Sequence, residues 1–102
     1  MSNVTKKELV DEIAERTNMP QKDVKNIVED FLGVIAERLS DGRNIEIRGF
    51  GRFKIREIKP RMARNPKTGE PVMVQEGYKA VFEISKELKT FITEKIQKKG
   101  GL

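Results

Sequence analysis

The sequence predicts an α+β fold: two N-terminal helices, a three-stranded antiparallel sheet drawn out into a long β-ribbon arm, and a C-terminal helix. Three observations predict it. Apolar residues recur at helical spacing as far as Leu39. From Asn44 the period changes to two, and helical spacing returns after Ser85. Between residues 59 and 71 the alternation lapses into a run holding Pro60, Pro66, Gly69 and Pro71, with no large apolar residue except Met62. One domain, residues 1–97, accounts for most of the 102-residue chain, and residues 98–102 are expected to form a frayed basic tail.

Thr5-Lys6-Lys7-Glu8 matches a capping box, with Thr5 as N-cap and Glu8 reaching back three residues later. Leu9, Val10, Ile13, Ala14 and Thr17 follow on one helical face, and Asn18 with Pro20 closes the helix. The second helix runs from about Pro20 to Leu39 and stops at Ser40-Asp41-Gly42. Its apolar set, from Val24 through Phe31 to Leu39, spans an arc of roughly 160° at about 100° per residue. That is wider than one packing face needs. A central helix wrapped by its own chain would show such an arc, as would a helix shared with a second subunit. A body this small gains most from sharing its core, which favours a dimer.

In the sheet region Ile45 and Ile47 alternate with Glu46 and Arg48, and Phe53 and Ile55 with Lys54 and Arg56. Gly49-Phe50-Gly51 joins these strands as a tight hairpin, its glycines allowing positive φ and Phe50 available to the core. With no third glycine and no helix behind it, this is not a dinucleotide loop. Val72 and Val74 resume the alternation, and Tyr78, Ala80, Phe82 and Ile84 make the returning strand. Strand, core-free stretch and strand together describe a hairpin whose middle, about residues 56–74, leaves the body. Leu88, Phe91, Ile92 and Ile96 then mark one face of the last helix.

Composition narrows the chemistry. The chain has no cysteine and no histidine, so it lacks a thiolate, the commonest general base and the commonest metal ligands. Ser2, Ser40 and Ser85 have no usual activating partner. The sequence therefore predicts no enzyme, no metal and no cofactor. No apolar run is long enough to span a bilayer and no signal-peptide pattern opens the chain, so a cytoplasmic protein without a membrane partner is expected.

Net charge is +5, but it is local. Residues 52–67 hold seven basic residues against Glu57, a net +6, which leaves −1 for the remaining 86. Such concentration implies a polyanionic partner. Lys54, Arg56, Lys59, Arg61, Arg64 and Lys67 project from a ribbon that can lie along a DNA groove. An exposed edge hairpin also carries lysines to discourage strand pairing. That accounts for scattered lysines, not for six net charges on one core-free protrusion. Asn65-Pro66-Lys67-Thr68-Gly69 suits an ordinary β-turn, yet a proline ring on a basic tip can also wedge between base steps from the minor groove.

"IEIRGFGRF" followed by "RNPKTGEPV", with "FEISKELK" beyond, resembles the bacterial HU and integration host factor family from Thr5 to about Ile96. "IEIRGFG" is most similar to that factor's beta subunit. The resemblance implies an intertwined dimer with two β-ribbon arms that wrap double-stranded DNA, bending it in the minor groove as this family does. It implies that Pro66 intercalates and that Arg56, Arg61, Arg64, Asn65 and Lys67 line the groove. Lys86, at the start of the last helix, would hold a phosphate, helped by the helix dipole. Thr5 and Lys6 take a similar role at the first helix. Glu46 and Arg48 match a pair that reads a few bases, although they also fit an exposed ion pair. The partner subunit is identical or a paralogue, and the expected location is the bacterial nucleoid.

The chain departs from the family pattern at four places. Met62-Ala63 stands where many relatives have a glycine-containing pair, which predicts a stiffer or more apolar arm. Ser85 replaces a common glycine and offers a better N-cap. Asn44 stands where the beta subunit has a basic residue, which weakens inherited sequence specificity. Pro71 removes a backbone donor, tolerable on an unpaired edge. A fold relative that binds RNA or single strands, or a structural oligomer whose arms contact protein, are the competing expectations.

Overall fold

In the computed structural model, which describes residues 2–99, Thr5 is the N-cap of α1 (Lys6–Thr17). Its hydroxyl oxygen accepts from the Glu8 amide at 3.2 Å and donates to the Glu8 carboxylate at 3.3 Å. The carboxylate thus returns to the cap's hydroxyl rather than to its backbone amide, a variant of the expected box. Such a cap contributes about 1 kcal/mol. Asn18 ends the helix in the left-handed region, φ 56°, where its short polar side chain is tolerated. The Pro20 carbonyl accepts from the amides of Asp23 and Val24 and so starts α2 (Gln21–Ser40).

Contacts divide the chain between Glu37 and Arg38 into a helical unit and a sheet-and-helix unit. In the helical unit Val10, Ala14 and Val24 are buried, with Val28 packed against them. These are the only buried apolar side chains among the described residues. Much of the wide α2 arc stays open: Ile27 is 58% and Phe31 56% exposed, and Leu32 and Val34 are similarly bare.

The second unit holds β1 (Ile45–Ile47), β2 (Gly51–Ile58), β3 (Arg61–Arg64), β4 (Pro71–Val74), β5 (Gly77–Ile84) and α3 (Lys86–Lys98). β1, β2 and β5 form a three-stranded antiparallel sheet in that order, and β3 pairs with β4 as a separate ribbon. The register puts Ile45, Phe53 and Phe82 in one row and Ile47, Gly51 and Ile84 in the next. Successive rows alternate between faces. One face is therefore apolar, and the other carries Glu46, Arg52 and Glu83, then Lys54, then Arg56 and Lys79. Phe82 anchors the apolar face, its ring 4.8 Å from that of Phe53 and 5.5 Å from that of Phe50. Phe50 leans on Phe82 but stays half exposed, so the core available to it within this unit is incomplete.

The hairpin glycines divide their work differently from expectation. Gly49 takes positive φ, 81°, as the turn requires. Gly51 lies in β2 without positive φ, and it is glycine for space: a Cβ there would meet the Glu83 carbonyl oxygen and the Phe82 ring, each at 2.5 Å. At the other end, Ser85 caps α3 by accepting from the Leu88 amide at 3.0 Å. α3 runs through Lys98 with Lys99 as its cap, so the first two residues of the tail expected to fray belong to the helix and its cap; residues 100–102 lie outside the described residues. No helix among the described residues is long and apolar enough to cross a membrane.

Gly51→Ala is expected to destabilise the sheet by about 1–3 kcal/mol through forced displacement of Phe82 and the β5 backbone. Urea unfolding would show a lower midpoint at unchanged slope. A midpoint equal to the parent's would mean that β5 relaxes without cost.

Candidate nucleic-acid interface

The arm is more ordered than its core-free composition suggests. Arg61 pairs with Val74, Met62 with Met73, Ala63 with Val72 and Arg64 with Pro71. Residues 59–60 and 75–76 interrupt the strands between this ribbon and the sheet, and Pro60, which has no amide to donate, sits in that break. Met62 and Met73 face each other across the ribbon at 58% and 51% exposure, an apolar pair left unburied on the arm. Pro71 pairs with Arg64 across the ribbon, and its donor-free nitrogen lies on the unpaired outer edge. The Asn65 amide donates to the Glu70 carbonyl at 2.8 Å, which by ladder alternation makes Arg64–Pro71 a pair whose amides point outward. The missing donor of Pro71 therefore costs no ladder bond.

The tip is tied by its own side chains. Asn65 Oδ1 accepts from the Lys67 amide at 2.8 Å, bridging Pro66 in an Asx-turn. The Asn65 carbonyl accepts from Gly69, whose φ of 75° only glycine adopts easily. Thr68 Oγ1 accepts from the Glu70 amide, and the Arg64 guanidinium donates to the Gly69 carbonyl at 2.8 Å. Five hydrogen bonds thus fix the loop around an exposed Pro66 ring. Lys59, Arg61 and Lys67 are exposed beside or below it.

At the base of the arm the cations are not free. Glu83 on β5 stands opposite Arg52 on β2 and accepts from its Nε at 3.2 Å. Lys54 Nζ reaches the same oxygen at 3.3 Å, and Arg56 approaches the other oxygen at 3.8 Å. The hydrogen bond from Lys54, and next that from Arg52, hold the Glu83 carboxyl below the usual carboxylate range. Lys54 and Arg56, expected among the DNA-binding arm residues, share an acid here because the register brings Glu83 onto their face.

The body residues fall into two groups. Glu46, Arg48 and Lys86 line one shallow cleft of about 350 Å³ together with Arg52 and Glu83. The Ser85 amide donates to the Phe50 carbonyl at 2.9 Å, which pins the start of α3 to the β1–β2 turn and so brings Lys86 toward Arg48. Glu46 faces Arg52 in the register, and no salt bridge joins it to Arg48 among the described residues. Thr5 and Lys6 belong to the helical unit, where Lys6 pairs with Glu29 at 3.2 Å. Sequence reasoning missed Glu83, a lone acid in an alternating strand, and the use of Asn44, whose Oδ1 accepts from the Ile55 amide at 3.0 Å. No cluster of acidic residues suited to a metal ion occurs among the described residues.

Asn65→Ala should loosen the tip without unfolding the sheet. Losing that hydrogen bond costs about 1 kcal/mol, so the Lys67 amide should exchange with solvent roughly fivefold faster. Unchanged exchange would show that the other bonds of the loop suffice.

Comparison with known proteins bears on this geometry. The family model described as "Bacterial DNA-binding protein" matches residues 4–93. The chain is 44% identical over 87 residues to the integration host factor beta subunit of Histophilus somni, covering 84% of this chain and 93% of that protein. It is 40% identical over 86 residues to DNA-binding protein HU-1 of Halalkalibacterium halodurans, covering 84% and 96%. Its fold matches a cocrystal of Anabaena HU with DNA at a TM-score of 0.77 and 32% identity, over 87% of this chain and 97% of that one. The chain belongs to the bacterial DNA-binding protein family, that of the histone-like HU and integration host factor proteins, which are architectural and not enzymatic.

Proposed function

We propose that this protein is a dimeric DNA-bending protein of the bacterial nucleoid, whose two arms enter the minor groove and kink the duplex at two Pro66 wedges. The observation that carries this reading is the tip: an exposed, donor-free apolar ring on a loop fixed by five hydrogen bonds and flanked by Arg64 and Lys67. A ring held this way can enter an unstacked step without leaving a buried amide unmet. The solved Anabaena relative in complex with DNA supports DNA as the partner.

In this account Lys54, Arg56, Lys59, Arg61, Arg64 and Lys67 run along the groove and neutralise phosphate, releasing counterions, and Asn65 lines the groove beside them. Lys86 holds a phosphate at the capped start of α3, where free amides and the helix dipole favour an anion. Thr5 and Lys6 act similarly at α1, and Glu46 and Arg48 touch base edges from their cleft. A second subunit, identical or paralogous, covers the apolar faces that Ile27, Phe31 and Leu32 of α2 and Phe91, Ile92 and Ile96 of α3 leave open. Two chains supply two arms, and two wedges bend the DNA toward the basic flanks of the body.

Pro66→Ala tests the wedge. Unstacking a base step costs a few kcal/mol, so removing the ring removes both that cost and the kink that offsets it. Energy transfer between dyes on the ends of a short duplex should report a markedly smaller bend, while affinity falls less. A bend as sharp as the parent's would reduce Pro66 to a turn-former.

A further inference from the structure

We propose that Glu83 is a built-in competitor for DNA phosphate, a positioning residue that holds Arg52, Lys54 and Arg56 together on the sheet and sets how strongly they bind. The inference rests on the reading that the basic face meets DNA. Three cations from alternate positions of β2 converge on one carboxylate at 3.2, 3.3 and 3.8 Å. This spacing presents them as a packed group rather than three independent side chains. A phosphate that approaches these cations competes with the carboxylate for them. The other charged groups on this face are Glu46 beside Arg52 and Lys79 beside Arg56, with Lys86 and Glu87 of α3 at the cleft edge. None of these gives Glu83 an ion pair among the described residues, so its partners are the β2 cations.

Two consequences follow. A carboxylate that stays among the cations cancels one phosphate's worth of positive charge. Removing it should steepen the fall of log affinity with log salt by about 0.9, which at about 0.1 M salt amounts to roughly eightfold tighter binding per Glu83. The second concerns protons. In the free protein Lys54 and Arg52 hold the Glu83 carboxyl below its usual range. Bound DNA draws those cations away and sets phosphates beside the carboxylate, raising its pKa. The complex then binds more protons than the free protein. Affinity therefore increases as pH falls through the bound-state value and levels off below the free-state value.

The experiment measures duplex affinity against salt, and against pH from about 7 to 4, for the parent, Glu83→Gln and Glu57→Gln. The Glu57 variant removes the same charge from the opposite face of β2. In the two-chain particle Glu83→Gln removes two carboxylates, so it should bind roughly sixtyfold tighter, with a salt slope steeper by about 1.8 and a flattened pH profile, while Glu57→Gln follows the parent. If Glu83→Gln matches the parent in slope and profile, or Glu57→Gln tightens binding equally, the inference fails although DNA binding stands. If no protein binds duplex, the functional reading itself fails. A flat pH profile in the parent overturns the inference without any variant.

Discussion

The rest of this structure depends on an apolar surface that neither unit covers by itself. Val10, Ala14 and Val24 are its buried apolar side chains among the described residues. Phe31, Val34, Phe91 and Tyr78 each leave more than half their surface bare. Burial contributes roughly 25 cal/mol per Å², so a stable fold of this size cannot leave so many large side chains in water. The apolar faces of α2 and α3 are what a second subunit would satisfy. In the proposed account, that requirement doubles the arm and makes a two-point bend available from a chain that carries one wedge.

The sheet divides two tasks between its faces. Phe53, Phe82 and Ile45 share one row on the apolar side, and the adjoining row on the other side holds Glu46, Arg52 and Glu83. A one-residue slip of β5 would exchange them, so register links packing to charge. Gly51 shows how tightly the register is drawn, since no Cβ fits between β2 and the Phe82 ring. The ribbon beyond has no such core. It is held by a ladder of four pairs and by the side-chain bonds of the Asn65–Glu70 loop, so a rigid tip is carried on a lightly held stem.

The helices were legible because their limits are written in local chemistry: Thr5 with Glu8, Asn18 before Pro20, and Ser85 before Lys86. The switch from helical to two-residue period located the sheet, and the charge run located the arm. What sequence could not show depends on which strands meet. Arg52 and Glu83 are 31 positions apart, and nothing near either one announces the other. The same holds for Asn44, read as a lost cation, which instead fastens the entry to β1 by accepting from Ile55. Gly51 was read as a turn glycine because close approach by Phe82 leaves no local signal. The hydrogen-bonded Asx-turn at Asn65 was partly legible, since Asn, Pro and Gly at that spacing favour a turn.

On the proposed reading, the bare apolar faces demand a partner before the arms can act together. The most direct test is the mass of the purified full chain in solution by sedimentation at micromolar concentration, alone and with a short duplex. The account predicts a particle of two chains that stays intact across that range and binds one duplex as a unit. A folded single chain that occupies duplex DNA one copy at a time would contradict it.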